Sequence, residues 1–303
     1  MKKKRFNLKK WWPYYVLFLP AAIYLIMFNY VPMSGLVLAF KEYWPKYGMF
    51  QSPWADPFYK NFAYLFQDSY FWQVLKNTVV ISVLRFVVTF PATILVALLF
   101  NELRSKRYAK FVQTIMFIPY FVSWVVIAGI ARNVFSIDGL VNGFLEMLGI
   151  DKVRFMTTEI PFLVLLILID LWKGWGYGMI LYLASMSSID SGLYEAVEID
   201  GGNRWTKMWH VTLPGLKSII VMQIVLSMAG ILNGGFEQIW NMYSVPVYNV
   251  ADILDTYLFR ISFGQEQDHA LSTALGLFKS VIGLILVLGT DKLSKKISGE
   301  GAL

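Results

Sequence analysis

Six stretches of this chain are each apolar enough, over about 20 residues, to cross a lipid bilayer as a helix. They lie at about Tyr14–Phe40, Asn77–Phe100, Phe111–Ile130, Pro161–Ala184, Leu216–Phe236 and Thr273–Thr290. In hydrocarbon every backbone N–H and C=O must be satisfied within the segment, so each run is expected to be helical rather than an isolated strand. The fold class read from this pattern is an all-α polytopic membrane protein with six transmembrane helices. Composition agrees: 57% of residues are hydrophobic and only 16% charged. A water-soluble globule of that make-up would expose large apolar patches, which excludes a soluble enzyme and a secreted scaffold. With no cysteine there is no disulfide framework, thiolate metal site or cysteine nucleophile. His210 and His269 stand too far apart in sequence for a local metal motif.

The first run follows a basic stretch, Met1–Lys10, as a signal peptide would. Its apolar length and the lack of a small-residue cleavage pattern before Lys41 instead indicate a retained helix. Lysine and arginine counts in the loops orient the spans. One side carries Lys2, Lys3, Lys4, Arg5, Lys9, Lys10, Arg104, Lys106, Arg107, Lys110, Arg204, Lys207, Lys217, Lys292, Lys295 and Lys296. The other carries Lys41, Lys46, Lys60, Arg132, Lys152, Arg154 and Arg260, so both termini are expected in the cytoplasm. The net charge of +7 is then a topology signal, and no nucleic-acid partner is expected. The external segment Lys41–Leu75 holds Trp44, Trp54, Tyr59, Tyr64, Tyr70 and Trp72, and Glu237–Ser272 is acidic through Glu237, Asp252, Asp255, Glu266 and Asp268. Aromatics there form either an interfacial belt or a surface for sugar rings or an external protein.

The most informative stretch is the cytoplasmic loop Ser187–Gly215. Asp190 or Ser191 can cap a helix that runs to about Asp200, and Gly201–Gly202 breaks it. Asn203 can cap a second helix, which ends near Pro214. Such a compact polar element under the membrane reads as a docking knob for a cytosolic protein.

Its residues resemble a family signature: Glu-Ala-Ala, three residues, Gly, nine residues, Ile-x-Leu-Pro, found in permease subunits of bacterial ATP-binding-cassette importers. Here Glu195-Ala196-Val197 precedes Gly201 and then Val211-Thr212-Leu213-Pro214 at that spacing. Val197 stands for the second alanine, Val211 for isoleucine, and Gly202 where alanine is common. The resemblance spans roughly Trp12–Lys296 and points to the carbohydrate branch, in its subgroup for large or polysaccharide-derived sugars. Within that subgroup, Trp172-Lys173-Gly174-Trp175-Gly176, Phe236-Glu237-Gln238, Val250–Tyr257 and Thr273–Ser280 are similar. It implies a type I importer permease fold with a cytoplasmic coupling helix-turn-helix. The divisions it implies are a basic N-terminus (1–13), a first span (14–40), an external segment (41–75), a permease domain (76–291) and a cytoplasmic tail (292–303).

The resemblance further implies an oligosaccharide substrate, with acidic sugars admitted, and a place in the bacterial cytoplasmic membrane. The implied partners are two cytosolic ATPase subunits, a second homologous permease, and an extracellular or lipid-anchored sugar-binding protein. No cofactor is expected in this chain, Mg-ATP being bound by the partner ATPases. Tyr194, Glu195, Ala196, Val197, Asp200, Gly201, Gly202, Leu213 and Pro214 are the implied ATPase-coupling residues, with Gly201 as the tight turn and Glu195 as the polar contact.

Ionisable groups at membrane depth are costly and are therefore candidates for a translocation path. Asp170 and Lys173 lie three apart on one helical face and either neutralise each other or line that path. Trp175, Tyr177, Gln223, Asn233, Glu237 and Trp240 are further path candidates, offering ring faces or hydrogen bonds to sugars. Arg85 and Lys279 are either interhelical partners or contacts for an acidic sugar. Two other classes fit a polytopic chain: a membrane-embedded enzyme, and a receptor or scaffold signalling through the 187–215 loop. The chain has no Gly-x4-Gly-Lys-Ser/Thr phosphate loop, no His/Glu metal motif and no Gly-x-Ser-x-Gly elbow, which disfavours chemistry of its own.

Overall fold

A computed structural model describes residues 8–298 apart from Arg104 and Glu266. Lys2–Arg5, Arg104, Glu266 and the final 299–303 of the tail, used in the sequence reading, lie outside the described residues. Every regular element described is helical, with one isolated β-bridge between Lys41 and Trp54. The main helices are α1 (Leu8–Leu25), α2 (Lys60–Gln67), α3 (Ser69–Asn101), α4 (Lys106–Phe121), α5 (Trp124–Val134) and α6 (Glu159–Met186). They are followed by α7 (Ser191–Ile199), α8 (Arg204–Lys207), α9 (Lys217–Ala229), α10 (Phe236–Met242), α11 (Leu254–Phe263) and α12 (His269–Ser298).

Four helical runs are long and apolar enough to span a membrane: Trp11–Phe40, Ser69–Asn101, Glu159–Met186 and His269–Lys296. Two bent pairs bring the number to six: Arg107–Phe121 with Trp124–Val134, at 98°, and Arg204–Gly215 with Lys217–Met228, at 56°. The expected third span is thus not one straight helix. Pro119 weakens the last turn of α4, the chain turns at Val122, and the Ser123 hydroxyl accepts the Val126 N–H (3.4 Å) to cap α5. Hydropathy is uniform through this corner, so it hides the break. The expected fifth span also ends early, at Ala229, because the chain leaves the helix at Gly230 and then runs through left-handed Gly234 and Gly235. The second span starts at Ser69 rather than Asn77. Asp68 Oδ1 accepts the Tyr70 N–H (2.9 Å), which places Tyr70 and Trp72 on the helix instead of in the external segment.

The chain divides into two compact units, residues 8–67 with 261–278 and residues 68–260 with 279–298. In the first unit, the Trp11–Phe40 run buries none of its most apolar window, the pattern of a helix whose solvent is lipid. The segment after it is pinned by Asn61, which donates to the carbonyls of Ala39 and Lys41 (3.0 Å each), and by Lys41 Nζ on the carbonyl of Phe50 (2.5 Å). Trp44, Tyr59 and Tyr64 remain exposed, while Trp54 receives the Lys41 ammonium over its ring.

In the second unit α3 packs along α6, and α4 packs along the same helix. Small residues let these backbones approach: a β-carbon at Gly176 would strike the Met116 carbonyl of α4, and one at Gly178 would lie 2.7 Å from Thr93 Cγ2 of α3. Two hydrophobic clusters hold the unit. One centres on Ile81, Phe162, Leu165, Leu166, Ile239 and Ile253; the other on Ala97, Leu98, Met179, Tyr182, Met186 and Leu216. The stretches of α3 and α6 between the two clusters carry the polar groups.

Candidate functional site

Between those clusters lies a cavity of about 400 Å³, walled by α3, α6, α9 and the Gly230–Gly235 turn. Arg85, Thr89, Thr93, Asp170, Gln223 and Ser227 face it among apolar and glycine positions. A second cavity, about 430 Å³, is lined by Trp124, Asn233, Phe236, Glu237, Gln238 and Asp255. Arg85, Asp170 and Gly235 belong to both walls. The site is assembled around Arg85. Its Nη2 donates to Gln238 Oε1, and Gln238 Nε2 donates to the Leu166 carbonyl (2.7 Å), so α3, α10 and α6 are joined through one guanidinium. Arg85 Nη1 lies 4.0 Å from Asp170 Oδ1. Gly235, at φ +81°, makes room for it: a β-carbon there would overlap the guanidinium.

The sequence-derived candidates divide. Asp170, Gln223, Asn233 and Glu237 line the cavities. Asp170 and Lys173 form no ion pair, the first of the two alternatives their spacing left open. Lys173 Nζ donates to the carbonyls of Pro119 (3.2 Å), Tyr120 (2.7 Å) and Val122 (2.6 Å), holding the corner between α4 and α5. The Pro119 carbonyl also accepts the Val122 N–H (3.2 Å), but those of Tyr120 and Val122 are left over where α4 ends, so a cation is the natural cap. Tyr177 stacks on Tyr120 with centroids 4.0 Å apart, Trp175 is half-buried, and Trp240 packs against Phe236 and Phe259. Lys279 pairs with Asp255 rather than standing open to a ligand. Arg85 was singled out in the sequence for its depth, but its link to Gln238 and Gly235 joins positions about 150 residues apart and left no local trace.

The loop between α6 and α9 folds as two capped helices. Asp190 Oδ1 accepts the Gly192 N–H (2.9 Å), and Asn203 Oδ1 accepts the Thr206 N–H (3.0 Å). Between them Gly202 N–H bonds the Val197 carbonyl (2.8 Å) and Gly201 N–H the Glu198 carbonyl (3.0 Å), with Gly201 at φ +77°. These two bonds are a Schellman stop, which requires a left-handed residue and hence favours glycine. Tyr194 shares a hydrogen bond with Thr212 (3.1 Å), and Lys207 pairs with Glu198, so the two helices form one braced body. Glu195, Ala196 and Asp200 are exposed, Val197 and Gly202 are half-buried, and Leu213 and Pro214 continue the second helix past its expected end to Gly215.

Sequence reasoning missed a second polar cluster. Arg260 grips fully buried Asp252 through both oxygens, Nη1 to Oδ1 at 2.7 Å and Nη2 to Oδ2 at 2.5 Å. Tyr70 donates to the same carboxylate and Thr256 Oγ1 lies 2.6 Å from it. Burial alone lowers the Arg260 guanidinium, but the hydrogen bonds and charge of Asp252 outweigh it and hold the group above its ordinary value. Among the described residues no three histidine, aspartate or glutamate side chains gather as a metal site needs.

Residues 89–299, which include the whole braced loop and most of the cavity lining but not Arg85, match the family described as binding-protein-dependent transport system inner membrane component. The chain belongs to that family. Among relatives of this permease family, the polygalacturonan/rhamnogalacturonan transport system permease protein YteP of Bacillus subtilis (strain 168) is 40% identical over 288 residues, 95% of this chain and 89% of the relative. Protein LplB of the same organism is 37% identical over 95% of this chain and 90% of its own length. Among solved structures, a chain of a bacterial ABC transporter involved in the import of the acidic polysaccharide alginate superposes with a TM-score of 0.88 at 36% identity, covering 96% of this chain and 98% of that one. The same transporter type in complex with alginate pentasaccharide-bound periplasmic protein gives 0.87 at 36% identity, covering 97% and 98%. As a family member this chain is a multi-pass inner-membrane transport component.

Proposed function

We propose that the chain is a pore-forming permease subunit of an ATP-driven importer that passes an oligosaccharide inward by alternating access. The observation that carries this reading is the pair of cavities sharing Arg85 and Asp170 inside an apolar helical unit. A polar space at membrane depth is costly unless it serves a solute, and its mixed lining of hydroxyls, amides and apolar groups suits sugar rings. The relatives' names add weight, since they are transport permeases for oligo- and polysaccharides.

In this reading the braced loop is the handle. It joins the membrane body through Met186, at the end of α6, and Leu216, just before α9, and both residues sit in one buried cluster with Tyr182 and Leu98. A push on the exposed face of α7 would therefore move α6 and α9 together as a rigid body rather than being lost in the loop. Two cytosolic ATPase subunits holding Mg-ATP supply the push at Glu195 and its neighbours. A second homologous permease closes the pore, and an external or lipid-anchored binding protein delivers the sugar. Both termini lie in the cytoplasm. The test is to reconstitute the chain with its ATPases, partner permease and binding protein, and to measure ATP hydrolysis with and without oligogalacturonate. Stimulation by the oligosaccharide is expected; hydrolysis indifferent to every sugar tried would remove the transport reading.

A further inference from the structure

The two arginine–aspartate pairs of the second unit are built differently. Asp252 and Arg260 are closed on each other at 2.5 and 2.7 Å, two hydrogen bonds in the bidentate geometry a guanidinium favours. Asp170 and Arg85 stop at 4.0 Å, an ion pair by charge but beyond hydrogen-bond reach. The side chains are only 25% and 14% exposed, so water does little to compensate them. Arg85 is held from one side alone, through Nη2 on Gln238. Its Nε is buried and, among the described residues, has no hydrogen-bond partner. A buried donor left idle is costly, and such a group commonly marks a place where a ligand completes the set. The side-on edge of a guanidinium is Nε with Nη2, the nitrogen Gln238 holds; Nη1, on the other side, has only the 4.0 Å pair and is where an incoming carboxylate can take Asp170's place. Arg85 and Asp170 are also the charged residues common to both cavities.

We propose that Arg85 and Asp170 form an exchangeable gate between the two cavities, opened when a carboxylate on the sugar chain replaces Asp170 at Nη1. This rests on the reading of the cavities as an oligosaccharide path, and it narrows the substrate class to chains containing uronate residues. Asp170 has the second half of the role. A lone buried guanidinium would hold an anionic ring too well, and passage requires binding weak enough to leave. The Asp170 carboxylate, re-forming the pair, expels the ring it has just released. Gln238, pinned to the Leu166 carbonyl, is a positioning residue that keeps Arg85 aimed at the boundary while Nη1 changes partner. A neutral hexose has no group to exchange with Asp170 and meets a closed pair.

The experiment uses the full complex in liposomes with saturating binding protein, comparing uptake of tetragalacturonate with uptake of its methyl ester. The binding protein's own affinity for each probe is measured separately and divided out. Wild type is expected to favour the acid. Arg85→Gln should lower the acid-to-ester ratio by roughly tenfold to a hundredfold, the worth of one lost charged hydrogen bond or two, and Arg85→Lys should keep part of it. Asp170→Asn should lower both the half-saturating concentration and the maximal rate for the acid and, with the pair no longer closed, raise uptake of the ester. A purely structural pair would instead lose both probes equally in either variant, and that result overturns the gate. So does an Arg85→Gln complex with an unchanged ratio. A wild-type complex that imports a neutral oligosaccharide but neither uronate probe overturns the gate while sparing the importer reading; one that imports no sugar at all overturns both.

Discussion

The Cγ1 methyl of Val197 occupies the space into which a side chain at Gly202 would project: a β-carbon there would stand 2.5 Å from that methyl and 2.9 Å from the Val197 carbonyl oxygen. The two departures from the signature, valine for alanine at 197 and glycine for alanine at 202, are therefore one change in two places. The methyl added on α7 lies in the space a side chain would need after its end. Gly202→Ala is expected to cost about 1–3 kcal/mol by overpacking the Schellman turn, and Val197→Ala in the same chain should recover the part due to the methyl, the contact with the Val197 carbonyl remaining. A double-mutant cycle by thermal unfolding in detergent measures this, and additive losses would sink it.

Gly201 differs because nothing lies within 4 Å of where its β-carbon would be, so its requirement is the left-handed φ of +77° alone. Gly201→Asp adds about 1 kcal/mol of backbone strain and an exposed charge at the turn of the handle. Membrane insertion should be intact while ATP hydrolysis continues without uptake. Normal coupled uptake in vesicles carrying this variant would count against the coupling role.

Lys173 clasps the carbonyls of Pro119, Tyr120 and Val122 at the 98° corner. Lys173→Met removes those charged hydrogen bonds and leaves the Tyr120 and Val122 carbonyls orphaned, at a cost of about 2 kcal/mol, and Lys173→Arg should restore part of it. Because the lysine caps a corner, the loss should appear as lower thermal stability with an unchanged acid-to-ester uptake ratio.

Breaking the Asp252–Arg260 pair strands a charge. Asp252→Asn should destabilise by about 3–5 kcal/mol, whereas Asp252→Leu with Arg260→Met should be markedly milder, since an apolar pair needs no compensation. The folded-state arginine is held above its unfolded value, so its contribution is complete below that value and is lost only as pH rises through the higher one. The deficit of Arg260→Met, followed by chemical denaturation, should accordingly be the same at about pH 7 and about pH 9.

Gly235→Ala places a methyl on the Arg85 guanidinium and strains a φ of +81°. Gly48→Ala is the control: it has a comparable φ of +66° with open space around it. Only the first should reproduce the Arg85→Gln shift in acid-to-ester uptake. An equal effect of both would mean that backbone strain, and not the displaced guanidinium, is responsible.

The legible parts of this protein were those written in local sequence. Apolar length gave the spans because each must satisfy its own backbone, and Asp190, Gly201 and Asn203 announced the handle because caps and left-handed stops are decided by neighbours in the chain. Even there the corner at Val122 and the early stop at Ala229 escaped, since lipid-facing and buried stretches are equally apolar and hydropathy carries no direction.

The charged residues show the limit most clearly. Sequence determined that Arg85, Asp170, Lys173 and Lys279 sit at depth and must find partners. Spacing on one helix suggested Asp170 for Lys173, yet the fold gave Lys173 the carbonyls of a broken helix, Lys279 the carboxylate of Asp255, and Arg85 an amide from α10. Partner choice in a low-dielectric interior depends on which groups come within a few ångströms, and packing of helices distant in sequence decides that.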